Sequence, residues 1–296
     1  MSPRFFFSKG SFIHTSLSSR SVLFVPGNKP RAIDKARTLH ADIIVFDLED
    51  SVAPDKKDEA RDMVFEAIKT GGFDSKLMVR TNGLESKWSS ADVAAFSELS
   101  DKLHALLMPK VEKWQNVLDA EQIMFLNRYS PLTSLWAMVE TPLAIQNLSD
   151  IAKTGKRLSA LVFGSNDLSS ALSLPATDNR NAIMTALQLT VACARAYGLD
   201  AIDGVYNSFK DKAGFKAECI EGASLGFDGK SLIHPNQIAG ANIAFSPSDE
   251  AVAHAHALIA AFDEGKAVGL DVIQFEGVMV EALHVEAAKR IIAKVK

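Results

Sequence analysis

One phrase recurs along this chain: a short apolar run, a polar or glycine-bearing tip, then a stretch with helical spacing. The apolar runs fall at 21–25, 42–46, 77–80, 105–108, 135–139, 160–163 and 199–203, with an eighth near 226–233. Between them lie helical patterns at 30–39, 55–69, 89–99, 112–128, 143–154, 179–197 and 208–225. Such alternation predicts a parallel sheet, because a parallel neighbour is reached only through a crossover, and eight repeats predict closure into a (β/α)8 barrel. The run Ile43-Ile44-Val45-Phe46 is apolar at every position, as a strand covered on both faces must be. An open doubly wound sheet is the alternative. The turn after the first strand, Pro26-Gly27-Asn28-Lys29, lacks the glycine spacing of a dinucleotide site.

The expected architecture is therefore an α/β TIM barrel over 21–245 with a C-terminal helical extension over 246–296. That extension is expected to cap the site, of its own subunit or of a neighbouring one. The first twenty residues form an N-terminal arm with no acid and with Arg4, Lys9 and Arg20, rich in Ser and Phe. This composition fits a mitochondrial presequence as well as an ordinary arm, so the matrix is the alternative to a cytoplasmic location. A net charge of −4 without a basic cluster argues against a nucleic-acid partner. No apolar run approaches the roughly 18 residues of a membrane span. Cys193 and Cys219 lack CxxC spacing and are expected to be core thiols in a reducing compartment.

The chemistry collects at the C-terminal tips of the runs, the edge where parallel α/β folds build sites. In the stretch 135–168, Glu140 follows one apolar run directly and Asp167 follows the next after a Gly-Ser-Asn turn. Two hard oxygen donors at neighbouring strand ends suit Mg2+, which takes one or two carboxylates and leaves the rest to water and substrate. Arg80 offers a planar fork for a carboxylate or a thioester oxygen, and a salt bridge to Asp47 or Glu49 is compatible with that role. Glu49 and Asp50 are expected to bind metal waters or to orient Arg80. Asp203 is open between the same role and a structural one. Lys56 and Lys57 read as a solvated helix start, and His234, followed by proline, reads more readily as structural than as a contact.

Several segments carry a resemblance in order along the chain: Arg20-Ser-Val-Leu-Phe-Val-Pro-Gly27, Phe46-Asp-Leu-Glu-Asp50, Val79-Arg-Thr-Asn82, Met108-Pro-Lys110, Val139-Glu-Thr141, Phe163-Gly-Ser-Asn-Asp167 and Gly229-Lys-Ser-Leu-Ile-His-Pro235. The chain resembles the citrate lyase β-subunit-like family of the aldolase/citrate lyase superfamily, most closely its citramalyl-CoA lyase type. The resemblance implies a Mg2+-dependent barrel, usually trimeric, that cleaves a 3-hydroxyacyl-CoA such as citramalyl-CoA to acetyl-CoA and pyruvate. Malyl-CoA (giving glyoxylate), methylmalyl-CoA or a carrier-bound citryl thioester are the alternative substrates, and a non-catalytic CoA-ester or keto-acid binder is the alternative of another class. By matching position, Glu140 and Asp167 are implied as metal ligands and Arg80 as the substrate arginine. Phe24, Arg31, Lys35, Ile233 and His234 are implied as CoA-ester contacts. The family's lyases on free CoA esters carry a catalytic Asp in a Met-x-Asp-x-Pro tail segment. This chain reads Met279-Val-Glu281-Ala-Leu283 there, so Glu281 is the implied catalytic acid, one methylene longer and without the proline.

Overall fold

The computed structural model describes residues 19–175 and 180–295. Residues 1–18 of the expected arm, and the first residue of the helix expected at 179–197, lie outside the described residues. Eight strands close into one parallel barrel: β1 (Ser21–Pro26), β2 (Ile43–Asp47), β3 (Lys76–Arg80), β4 (Leu103–Met108), β5 (Ser134–Val139), β6 (Leu158–Phe163), β7 (Asp200–Asp203) and β8 (Gly229–Leu232). Each pairs with its neighbour in sequence, and β8 returns to β1 through Val22 opposite Ser231.

The two-residue period of a strand divides these residues between two cores. Val22, Ile43, Val45, Met78, Ala105, Leu107, Trp136, Met138, Ala160, Val162 and Ile202 point inward and fill the barrel. Their neighbours, including Leu23, Ile44, Phe46, Leu106, Leu135 and Leu161, point outward into the layer beneath the helices. Those helices are α1 (Pro30–Ala36), α2 (Lys57–Thr70), α3 (Ser89–Ala95), α4 (Trp114–Leu126), α5 (Pro142–Gln146), α6 (Leu148–Ala152), α7 (Ser165–Ala171), α8 (Met184–Tyr197), α9 (Lys212–Leu225) and α10 (Ile238–Ala244). The barrel forms one compact unit, Ser19–Phe245.

Residues 246–295 belong to a second compact unit with a small core of its own, built on Ala255, Leu258, Phe262, Val280, Val285 and Ala288. It consists of α11 (Asp249–Ala267), the hairpin β9 (Ile273–Phe275) and β10 (Val278–Val280), and α12 (Ala282–Ala293). The hairpin turns on Glu276 and Gly277, both at positive φ (48° and 81°), which matches the twist of a two-residue turn.

Three elements differ from expectation. The helix expected over 143–154 breaks at Asn147 into α5 and α6, and the Asn147 side chain donates to the Glu112 carbonyl at 2.8 Å instead of facing water. Asn side chains compete for backbone partners in this way, which is why they break helices. The helix expected over 89–99 ends at Ala95 and continues as a 3-10 turn, Ser97–Lys102, where Ser97 bonds back to the Ala94 carbonyl at 2.7 Å. Asp167 follows no open turn but sits in the first turn of α7.

Candidate active site

The inward parity of the strands decides which polar tips meet. Two residues beyond inward Val45, Met78, Met138, Val162 and Ile202 stand Asp47, Arg80, Glu140, Gly164 and Gly204. These converge at the C-terminal mouth and, with α7 and the segment after β2, enclose a cavity of about 360 Å³. Its lining includes Phe24, Asp47, Asp50, Arg80, Met138, Glu140, Gly164, Asp167, Ser231 and Ile233. That volume is near the lower end for small-molecule sites.

Glu140 is 2 % exposed and accepts the backbone N–H of Lys110 at 2.7 Å. Burial, with Glu49 adding repulsion, pushes its carboxyl up to about 7. It is held in place by an absence of bulk on the next strand. A Cβ on Gly164 would overlap the Glu140 Cβ and stand 2.7 Å from Oε2. Asp167, partly exposed, presents its carboxylate 3.6 Å from Lys110 Nζ. Among the described residues no group of three or more His, Cys, Asp or Glu side chains could hold a metal by itself. The fit is instead that of Mg2+: two carboxylate donors, one of them buried and short of positive charge, with water and substrate completing the shell.

Arg80 is pinned from below. Asp47 takes its Nε and Nη2 at 2.7 Å each, and Nη1 lies 3.1 Å from Glu49 Oε2 and 3.2 Å from Asp50 Oδ2. The guanidinium also stands 5.2 Å from the Phe24 ring centroid. Burial alone would lower the Arg80 pKa, but these carboxylates, Asp47 above all, raise it. Asp47 in turn is pushed up by burial and carried below its usual value by Arg80. The salt bridge to Asp47 fixes the orientation of a guanidinium that also lines the cavity. Glu49 and Asp50 thus both face the Nη1 end of the guanidinium.

Two lysines were not legible as site residues. Lys57, read as solvated, is 6 % exposed, and its ammonium donates to the Leu48 and Glu49 carbonyls at 2.8 and 2.7 Å. It ties down the backbone that carries Glu49. The signal was weak, because its neighbour Lys56 is exposed and pairs with Glu59 on the helix surface. Lys110 has φ 53°, a left-handed conformation that costs a residue with a Cβ about 1–2 kcal/mol. That turn aims its N–H at Glu140 and its ammonium at Glu49, 2.9 Å away. Strain of this kind gathers at sites whose surroundings enforce it.

The remaining candidates divide. Phe24 and Ile233 line the cavity. Arg31 and Lys35 are exposed on α1, a turn apart, and are not part of the lining. His234 stacks at 4.7 Å on Phe209 and caps the 3-10 turn Pro235–Gln237 by accepting the Asn236 amide at 3.2 Å. Asp203 resolves as structural: one residue past inward Ile202, it faces outward, fully buried, between Arg180 (2.6 Å) and Lys230 (2.9 Å). Strand parity was the signal that separates it from Arg80 and Glu140. Glu281 lies in the second unit, where its carbonyl accepts the His284 amide at 2.9 Å and its own amide donates to His284 Nδ1 at 3.0 Å.

Residues 20–235 match the family model described as HpcH/HpaI aldolase/citrate lyase. The chain is 42% identical over 282 residues to a (3S)-malyl-CoA thioesterase of Cereibacter sphaeroides, covering 95% of this chain and 96% of that protein. It is 34% identical over 292 residues to the human mitochondrial citramalyl-CoA lyase, covering 94% of this chain and 86% of that one. The Mycobacterium tuberculosis citrate lyase β subunit, solved with oxaloacetate and magnesium, superposes with a TM-score of 0.66 at 25% identity over 78% of this chain and 98% of that one.

Proposed function

The chain belongs to the HpcH/HpaI aldolase/citrate lyase family, a family of enzymes, and on that premise we propose that it cleaves a carbon–carbon bond in a malyl-type 3-hydroxyacyl-CoA. Citramalyl-CoA, giving acetyl-CoA and pyruvate, is the substrate of choice in this reading, and malyl-CoA, giving acetyl-CoA and glyoxylate, is its near relative. The carrying observation is that Glu140, directly after β5, and Asp167, in the first turn of α7 after β6, line one cavity with Arg80.

Glu140 and Asp167 would hold magnesium, which supplies Lewis-acid polarisation of substrate oxygens when bound. Buried Glu140 contributes a fixed donor, because Lys110 holds one oxygen and Gly164 leaves room for the other. Arg80, aimed by Asp47, meets the negative charge that gathers on the thioester oxygen as the bond between C2 and C3 breaks. The hydroxyl proton at C3 goes to a cavity carboxylate, and Asp50, which lines the cavity, is placed for it. The acetyl carbanion at C2 then takes a proton, a role assigned to Glu281 of the C-terminal unit, contributed within the expected trimer. Phe24, Met138 and Ile233 contribute apolar surface to the wall and keep water from the reacting carbons.

Hydrolysis of the thioester is the second reading, favoured by the 42% identity to malyl-CoA thioesterases. The products separate the two: acetyl-CoA with a 2-oxo acid from cleavage, free CoA with a hydroxy acid from hydrolysis. The test is a panel of CoA esters with and without Mg2+, on wild type and Glu140→Ala. Magnesium-dependent acetyl-CoA release that vanishes in Glu140→Ala is expected. Release that survives the substitution would sink the assignment of Glu140.

A further inference from the structure

Among the described residues, Ser231 alone joins two properties: it lines the cavity, and its hydroxyl, on a residue 2 % exposed, has no hydrogen-bond partner in the protein. A hydroxyl desolvated without a partner costs about 1–3 kcal/mol, so the site is unfavourable unless something else bonds it. An alanine or valine would pack there at no such cost.

Its position says where that partner arrives. Ser231 pairs with inward Val22 and therefore points into the barrel, two residues below Ile233 at the rim. Met138 holds the equivalent level below Glu140, so Ser231 and Met138 form the floor of the cavity.

We propose that Ser231 is the floor of an acyl subsite, where its hydroxyl donates to a carboxylate oxygen at the far end of the substrate. This rests on the CoA-ester reading. A CoA moiety is too long for a cavity of about 360 Å³ and must leave through the mouth. The acyl end opposite the thioester then reaches the floor first, and in a malyl-type ester that end is a carboxylate. A carboxylate has about four lone-pair directions, so one hydroxyl bond leaves the others open to further partners. Ser231 is thus a specificity residue: it selects esters whose far end accepts a hydrogen bond over those ending in a methyl group.

The test uses Ser231→Ala in the full chain, with pyruvate and acetyl-CoA titrated separately by calorimetry in the presence of Mg2+. Pyruvate, which retains the far-end carboxylate, is expected to bind about tenfold to a hundredfold more weakly, the loss of a hydrogen bond to a charged group. Acetyl-CoA affinity stays within twofold, and the melting temperature stays level or rises, because an unpaired hydroxyl has been removed. Unchanged pyruvate affinity, or equal weakening of both ligands with a lower melting temperature, overturns the subsite. Turnover of the ester panel by wild type with no Ser231 effect on pyruvate removes the subsite and leaves the lyase reading. Pyruvate binding that depends on Ser231, without turnover of any ester, does the reverse.

Discussion

Gly164→Ala isolates the packing that holds Glu140. Gly164 has φ −100°, which any residue adopts, so the penalty is steric and not conformational. The new methyl would overlap the Glu140 Cβ and stand 2.7 Å from Oε2, where ordinary contacts lie at about 3.5–4.0 Å. The backbones cannot slide apart freely, since the Gly164 amide is bonded to the Val139 carbonyl at 2.9 Å. Rotating the Glu140 side chain moves Oε2 but not its Cβ, so the Glu140 backbone must itself shift by about 1 Å to restore contact distance, carrying the carboxylate against its bond from Lys110. A displacement of that size at a reacting centre costs about a hundredfold in rate. Overpacking costs about 1–3 kcal/mol, less about 0.4–1 kcal/mol gained by stiffening the unfolded chain. The variant should thus fold, melt a few degrees lower, bind Mg2+ more weakly, and lose about a hundredfold in kcat/KM for acetyl-CoA release. Pairing it with Glu140→Asp, whose carboxylate retreats by one methylene, should give effects that do not add. Wild-type Mg2+ affinity and kcat/KM in Gly164→Ala, or strict additivity in the pair, would refute the reasoning.

Three further outcomes follow from the same geometry. Lys57→Met strips the donor from two buried carbonyls and should cost about 1–3 kcal/mol in denaturant unfolding, with lower kcat/KM as the segment bearing Glu49 loosens; a variant as stable as wild type contradicts the buried role. Lys110→Gly keeps the amide bond to Glu140 at φ 53°, whereas Lys110→Ala keeps the strain, so the glycine variant should be the more stable by about 1 kcal/mol. His104, beside Trp136 at 5.9 Å, has its pKa lowered from 6.5 to about 4 by burial, with Lys76 adding to it. The unfolded chain therefore takes up the proton first as the pH falls. Stability attributable to His104 is level above about 6.5, declines between about 6.5 and 4, and levels off below, by about 3 kcal/mol in all. His104→Phe should remove that share of the slope in melts taken across this range.

The strands, and the acids and the arginine at their ends, are written in local pattern. Apolar runs, helical spacing and tip residues are local properties, so eight repeats and a chain-long resemblance led to the closed barrel, to Glu140, Asp167 and Arg80, and to Phe24 and Ile233 on the cavity wall. Parity along a strand is also local, and applied strictly it would have set Asp203 outside the barrel. Other features arise only when distant segments meet. Lys110 meets Glu49 across 61 positions of sequence, Lys57 folds back under the loop it supports, and Gly164 owes its role to a side chain on the neighbouring strand. Ser231 is polar in the sequence like many serines, and only closure of β8 onto β1 buries its hydroxyl at the cavity floor. Short-range pattern fixes which face a residue takes, but which groups share a cavity depends on strands brought together by barrel closure, and that is a property of the whole fold.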